Sequence, residues 1–187
     1  MVNSTTVDTR PLFRPLAGEL LQVITELDEA RWNAATSAGG WRVRDVVAHL
    51  VDGDLRRLSA QRDGHASPDA PIIESYAGLV RYLNELNDIW VTAARRLSRQ
   101  VLLDLIKASS SQLADLIEAT DLNAPALVPV AWAGESISKM WLDIGREYTE
   151  RWHHQDQIRE AKWTVASRVA AGETRCRRVH CDSDADL

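Results

Sequence analysis

Four side chains with metal-binding chemistry lie within about two helical turns of one another in the second half of the sequence. The segment REYTERWHHQDQIREA, residues 146–161, contains Glu147, Glu150, His153 and His154. On a helix, residues four positions apart project from neighbouring turns of one face, so Glu150 and His154 could reach one ion. His153 lies about 100° around the helix from His154, and adjacent histidines rarely chelate together. Glu147, one turn before Glu150, fits a ligand, an acceptor that supports a ligand, or a surface charge.

An ordinary polar helix face contains the same residue types, and a bare E-x-x-x-H pattern is common by chance. Glu150 and His154 fall toward the polar side of their predicted helix. His49 is displaced in the same way from the apolar stripe of an earlier helix. All three are ordinary polar-face residues unless a cleft brings the polar flanks of the two helices together. The predicted apolar stripe of the later helix consists of Ile137, Trp141, Ile144 and Tyr148.

Several charged residues near these positions have two interpretations each. Arg146 and Arg159 could bind a substrate carboxylate, although pairing with acids four residues away explains them equally well. Asp45, Asp52 and Asp156 could orient a ligand imidazole through its second nitrogen, and roles on the helix surface fit them too.

Hydrophobic periodicity predicts helices through most of the chain. Ser98 and Ser136 are predicted N-caps of the last two. We find no internal repeat and no strand pair, although ALVPVAW could form one short strand. The predicted fold class is all-α, an up-down four-helix bundle with an additional helix and an irregular C-terminal tail. The predicted helices cover roughly residues 12–29, 43–62, 76–97, 98–119 and 136–161.

The predicted organisation is a flexible N-terminus over residues 1–11, the helical bundle over 12–161 and an atypical tail over 162–187. The tail has no helical period and few large apolar residues, so we expect it to be disordered or loosely attached. Trp41, in the loop before the second predicted helix, is expected to be a core or loop anchor.

The charge balance and hydropathy exclude some classes of partner. A net charge of -5 argues against general nucleic-acid binding, which requires clustered positive charge. No apolar run approaches the roughly 20 residues that span a membrane, and the N-terminus does not resemble a signal peptide. We therefore predict a cytoplasmic protein without membrane partners. Its oligomeric state is open, with a homodimer as one alternative.

The distribution of cysteine bears on the chemistry. Cys176 and Cys181 both lie in the tail, and residues 1–175 contain no cysteine. A disulfide between them would close almost nothing, so a disulfide scaffold is not expected. Any thiol chemistry in the bundle requires a thiol from outside the chain.

Two segments together resemble a known family. GGWRVRDVVAHLVDGDLRRL, residues 39–58, is followed about a hundred residues later by REYTERWHHQDQIREA. The pair resembles the DinB-like superfamily and, more narrowly, the metal-binding domain of mycothiol-dependent maleylpyruvate isomerases. The resemblance covers roughly residues 12–161. Its most specific parts are W-x-V-x-D-V-x-x-H-L around His49 and E-x-x-x-H-x-x-x-I-R around His154.

The resemblance implies a four-helix bundle that holds a divalent metal, typically zinc. Carried over position by position, the ligands are His49, Glu150 and His154. Three protein ligands leave a position for a small thiol such as mycothiol, which would lose its proton there. The implied activity is that of a thiol-dependent isomerase or S-transferase, in which the metal-bound thiolate attacks a small electrophile.

Within this scheme, Glu147, His153, Arg146 and Arg159 are candidates for supporting a ligand or contacting substrate. Isomerases of the family carry a further C-terminal domain with an active-site arginine, and the matched segments do not include it. The alternatives to an enzyme are a non-catalytic, metal-dependent module that binds a small ligand and a structural or regulatory bundle stabilised by metal.

Overall fold

The computed structural model describes residues 6–65, 71, 75–127 and 138–170, with side chains described as far as residue 164. This part of the chain is an all-α bundle, as predicted. Within it, the only β-type pairings are the isolated bridges Ala35–Arg42 and Pro125–Lys139. The helices are α1 (Phe13–Thr25), α2 (Glu29–Trp32), α3 (Val43–Arg57), α4 (Tyr76–Ala94), α5 (Arg99–Glu118) and α6 (Met140–Ala170).

Side-chain oxygens accept hydrogen bonds from backbone N–H groups at the starts of several helices. Ser98 accepts a hydrogen bond from the Val101 amide at 3.3 Å at the start of α5, so the predicted cap is confirmed. Ser75 accepts one from the amide of residue 78 at the start of α4. The carboxylate of Asp45 accepts from the backbone N–H of Arg42 at 3.0 Å, which fixes the start of α3.

Helix α3 lies at the centre of the bundle and packs against α4, α5 and α6. Its apolar stripe is fully buried because it meets the stripes of α1 and α5. A second apolar cluster joins Phe13 and Leu113 to Ile144 of α6. These contacts hold the polar flanks of α3 and α6 side by side. The buried stripe of α3 consists of Val43, Val46, Val47, Leu50 and Val51.

Several element boundaries differ from the sequence prediction. The first predicted helix ends at Thr25, and α2 follows as a separate short helix. Helix α3 continues into a π-helical turn, Leu58–Arg62, which matches the predicted end. None of the described helices combines the length and apolarity needed to cross a bilayer.

The end of α6 corrects the predicted start of the irregular tail. The helix extends to Ala170 rather than ending near Ala161. Ala161 is buried in the main apolar core, and Lys162 pairs with Glu26 at 3.1 Å beyond the end of α1. Residues 171–187 lie outside the described residues, as do Ser136, Ile137 and most of ALVPVAW.

Candidate metal centre

The polar flanks of α3 and α6 bring His49, Glu150 and His154 together. Nε2 of His154 lies 3.1 Å from Oε1 of Glu150, and Nε2 of His49 lies 3.9 Å from the same oxygen. One ligand atom from each residue falls within 4.8 Å of the other two. A functional site at these residues requires a cleft where the polar flanks of the two helices meet. The structure has this cleft between α3 and α6.

The donor set and its spacing fit a divalent cation. Two imidazoles and a carboxylate are ligands that zinc and neighbouring metals accept, and ligand atoms around a tetrahedral zinc ion are about 3.3 Å apart. The pair on α6 already has this separation, and His49 needs only a small inward movement. His154 is buried and His49 is mostly buried, while the Glu150 side chain is 60% exposed. The open side of the centre thus lies next to Glu150.

A residue that the sequence argument missed, Gln157, orients His154. Oε1 of Gln157 lies 2.8 Å from Nδ1 of His154, and its amide nitrogen lies 3.0 Å from Nε2 of His153. With the amide donating to His153, its oxygen accepts the Nδ1 proton of His154. Nε2 of His154 is thereby directed at the centre, as supporting groups commonly direct metal-binding histidines. The only sequence signal was spacing: Gln157 follows His154 by three residues and His153 by four.

Protonation of the centre follows from the same contacts. Burial alone would lower the pKa of His154, but hydrogen bonds to Glu150 and Gln157 outweigh it and raise this pKa above its ordinary 6.5. The hydrogen bonds of Glu150 to His154 and then His49 hold the pKa of Glu150 well below its usual range, against the opposing effect of burial. Without metal, the centre is therefore a carboxylate paired with a readily protonated imidazole.

Trp41 packs against the apolar core, which confirms the predicted anchor, and it has a further contact that was not predicted. It lies against the metal centre, with its ring centroid 5.0 Å from that of His49 and 6.4 Å from that of His154. The indole covers one side of the two imidazoles, which themselves meet edge to face at 4.8 Å. This contact limits the rotation of both rings.

A buried ion-pair network lies beside the centre and joins the same two helices. Arg57 of α3 donates to Asp143 at 2.8 Å and lies 3.6 Å from Glu147, both on α6. Arg151 of α6 donates to Glu147 at 2.9 Å and lies 2.5 Å from Asp54 of α3. Burial alone would lower the pKa of Arg151, but the two carboxylates outweigh it and raise this pKa. Glu147 is thus engaged by two arginines.

The remaining candidate residues differ in whether they lie near the centre. Arg146 lines the cleft beside the centre and pairs with Asp143 at 2.9 Å. Arg159 is not brought to the centre, since it pairs with Glu19 of α1 at 2.9 Å. His153 reaches the centre only through Gln157.

Two of the three aspartates suggested as imidazole partners, Asp45 and Asp52, pair with arginines in the structure. Asp45 caps α3 and pairs with Arg95 at 3.0 Å. Asp52 pairs with Arg56 at 2.9 Å. Among the described contacts, neither carboxylate hydrogen-bonds to His49 or His154, so the amide of Gln157 takes the part expected of a carboxylate.

Comparisons with known proteins bear on the family and the fold of the chain. The family model described as "Mycothiol maleylpyruvate isomerase N-terminal domain" matches residues 13–159. Two crystal structures of the mycothiol-dependent maleylpyruvate isomerase, one of them a mutant, are similar with a TM-score of 0.57 and 14% identity. Each similarity covers 80% of this chain and 58% of the solved chain. No curated protein matches the sequence.

An uncharacterized protein from Clostridium difficile 630 has a similar fold, with a TM-score of 0.57 and 11% identity, over 88% of this chain and 99% of that one. At these identities the solved structures establish the fold, a bundle of the DinB-like type. The resemblance inferred from the two sequence motifs is confirmed by the family match.

Proposed function

This chain belongs to the mycothiol maleylpyruvate isomerase N-terminal domain family, and from that premise we propose a metal-dependent enzyme that uses a small thiol in an isomerase or S-transferase reaction. The ion is divalent, with zinc as the first choice, and the thiol is of the mycothiol type. The chain spans 58% of the length of the solved isomerase. The activity of that longer protein, and the choice between isomerisation and S-transfer, are therefore part of the proposal for this chain.

The observation that carries the proposal is the meeting of His49 with Glu150 and His154 across two helices. These are also the positions that the family resemblance assigns as ligands. Three protein ligands leave a coordination position open, which is the arrangement of a catalytic rather than a purely structural metal site. Glu150 is the exposed member of the set and lines the cleft, which supports an open position on that side.

Some residues of the chain would bind the cation, and others would orient its ligands. Bound there, a divalent cation would stabilise the thiolate form of an entering thiol near neutral pH. Gln157 and Trp41 hold the imidazoles in place, and Glu150 supplies a negative charge that the cation requires. The thiol has to come from outside, because no cysteine occurs in residues 1–175.

Metal content and thiol-dependent turnover test the proposal. We expect about one divalent ion per chain by elemental analysis. His154→Ala should remove most of the metal affinity in competition with a chromogenic chelator, whereas the neighbouring His153→Ala should weaken it far less. Equal losses in the two variants would show that the wrong histidine has been assigned.

Activity should require both metal and thiol. A small electrophile incubated with thiol should turn over with the metal-loaded protein and stop on chelation. The Cys176→Ser/Cys181→Ser variant should retain this activity. If the cysteine variant is inactive while chelation changes nothing, the proposed chemistry is wrong. Metal binding without turnover of any electrophile would instead favour a non-catalytic binding module.

A further inference from the structure

A cleft of about 490 Å³ extends from the candidate metal centre between α3, α4 and α6. His49 and Glu150 line one end of it. One wall is formed by arginines of α3 and α6, and the opposite wall is apolar. This volume is within the range of sites that hold small organic molecules. One arginine-rich wall and one apolar wall suit a molecule that has both an anionic group and an apolar part.

The arginines of the polar wall are of two kinds. Arg57 and Arg151 are buried and engaged by the carboxylates of the buried ion-pair network. Arg56 and Arg146 have side chains that are 40% and 45% exposed, and each has one described acidic partner. A guanidinium has five N–H donors, so both retain donors that can face the cleft. The partner of Arg146, Asp143, is already shared with Arg57.

The acidic groups of the cleft do not compete for these two arginines. Glu147 is held by Arg57 and Arg151, and Glu150 belongs to the metal centre. What Arg56 and Arg146 offer a ligand on this wall is therefore the N–H donors that Asp52 and Asp143 leave unpaired. Guanidinium groups bind carboxylates through paired, charge-assisted hydrogen bonds.

The apolar wall comes from the N-terminal part of α4. Across α4, which the structure describes in full, only Val91 and Ala94 near the C-terminal end are buried. The leucines and the tyrosine that face the cleft are half-buried and offer apolar area to a ligand. They are Leu79, Tyr82 and Leu83, joined by Leu127 after α5.

Helix geometry sets the distance between the metal centre and the two arginines. Arg146 precedes Glu150 by four residues, about 6 Å along α6. Arg56 follows His49 by seven residues on α3, about 10 Å along that helix. The glycine at position 53 lies between His49 and Arg56 on the side of α3 that lines the cleft. An added Cβ there would meet only Nη2 of Arg151, at 3.9 Å. The glycine therefore leaves the cleft open on α3 between the centre and Arg56.

We propose that Arg56 and Arg146 form a carboxylate-binding subsite at the far end of this cleft. The ligand is an elongated organic anion with one end at the metal centre, its apolar body on α4 and its carboxylate on the arginines. The position of the ligand's reacting end at the metal centre rests on the proposed function. The carboxylate belongs either to the thiol or to its co-substrate.

Cobalt-loaded protein separates these sources, because a thiolate on cobalt gives a charge-transfer absorption band. The first arm titrates 6-mercaptohexanoate and its uncharged analogue 6-mercaptohexan-1-ol. The second arm measures binding of hexanoate and hexan-1-ol by calorimetry with 2-mercaptoethanol present. We expect the carboxylate to bind roughly tenfold more tightly than its neutral partner in at least one arm. A preference in the first arm alone assigns the carboxylate to the thiol, and in the second alone to the co-substrate.

The variants decide whether the two arginines cause the preference. Arg56→Gln/Arg146→Gln should abolish it and leave the binding of the neutral molecules unchanged. Arg56→Lys/Arg146→Lys should retain part of it, because the charge remains. Arg159→Gln, on α6 but paired with Glu19 away from the cleft, is the matched control and should retain all of it. Metal content and circular dichroism should be the same in every variant.

Two results would overturn the subsite: no preference in either arm, or a preference that the double Gln variant keeps in full. The absence of a cobalt–thiolate band with every thiol would count against the proposed function instead. In that case, the calorimetric arm still decides whether the arginines bind a carboxylate.

Discussion

Gln157 contacts both histidines of α6 and directs only one of them toward the metal centre. Its oxygen lies 2.8 Å from Nδ1 of His154 and its nitrogen 3.0 Å from Nε2 of His153. Groups that hold the second nitrogen of a metal-binding imidazole typically contribute 10- to 100-fold to metal affinity. Gln157 would therefore position a ligand of the proposed ion without itself binding that ion.

We predict that Gln157→Leu lowers metal affinity by roughly 10- to 100-fold, because Nδ1 of His154 loses its acceptor. Gln157→Glu keeps an acceptor oxygen and should retain the affinity. Competition with a chromogenic chelator measures both variants. His153→Ala is the control for the other half of the amide contact. Full affinity in the Leu variant would show that Gln157 does not orient the ligand.

Proton competition at His154 should make metal binding depend on pH. In the metal-free centre, Nδ1–H donates to Gln157 and Nε2 faces Glu150, which favours the doubly protonated ring and raises its pKa. The pKa of His154 is higher in the folded than in the unfolded protein, so this contact stabilises the metal-free protein. The stabilisation is complete below about pH 6.5, the pKa of the unfolded state, and is lost as pH rises through the folded-state pKa. Metal binding requires the opposite state, with Nε2 free of its proton.

We therefore expect metal affinity to fall as pH falls through the raised pKa of His154 and to level off above it. Calorimetry in buffers of different ionisation enthalpy, between about pH 6 and 9, should show release of about one proton per ion from this ring below its pKa and none above it. An affinity that is independent of pH over this interval would contradict the assignment of His154 as a ligand.

At the scale of the elements, the glycine at position 53 of α3 lies where a larger residue would fill the cleft. A glycine inside a helix costs about 0.5–1 kcal/mol relative to alanine, and the structure has room for a Cβ there. Gly53→Ala should thus stabilise the protein by about that amount without loss of metal. Gly53→Leu should retain metal but block ligand entry, seen as loss of the cobalt–thiolate band.

Position 18 of α1 provides the matched control for this prediction. Its glycine is also helical, and a Cβ there would meet nothing within 4 Å. Gly18→Ala should stabilise to a similar degree, and Gly18→Leu should leave the cobalt–thiolate band intact. If Gly53→Leu also leaves the band intact, the ligand does not pass over this part of α3.

The elements that were predicted well are those with local signals. The stripe of α3, the Ser98 cap and the one-turn spacing of Glu150 and His154 depend on residues close in the chain. The place of Trp41 beside the imidazoles was not predictable, because it depends on how a loop docks on two helices. The extension of α6 was missed for a related reason, since the pair of Lys162 with Glu26 beyond the end of α1 is a tertiary contact that no local pattern reveals.

For the molecule as a whole, the buried ion-pair network ties α3 to α6 independently of any metal. Arg151 is its central cation, with partners on both helices. Breaking a buried pair by removing one partner leaves an uncompensated charge and costs about 3–5 kcal/mol. The network is thus expected to decide whether the metal-free bundle stays folded.

We predict that Arg151→Met destabilises the protein by about 3–5 kcal/mol, measured by urea denaturation of metal-free samples. Arg14→Met is the control: Arg14 also contacts two carboxylates, those of Asp115 and Glu118, but it is half-exposed and its loss should have little effect. Replacing Asp54 together with Arg151 should cost less than the sum of the single changes. Additive losses would show that the two charges do not act as a pair.

The two helices that supply the candidate ligands are far apart in the order of synthesis. Roughly a hundred residues separate His49 from Glu150. At about 5–20 residues per second, the ribosome releases the first ligand some 5–20 s before the pair on α6. During that interval the nascent chain has no complete chelate. Because Arg151 and Asp54 join the same two helices without an ion, the bundle should close first and acquire its metal afterwards. Loading then becomes a step after translation, governed by how much free metal the cell offers to a finished fold.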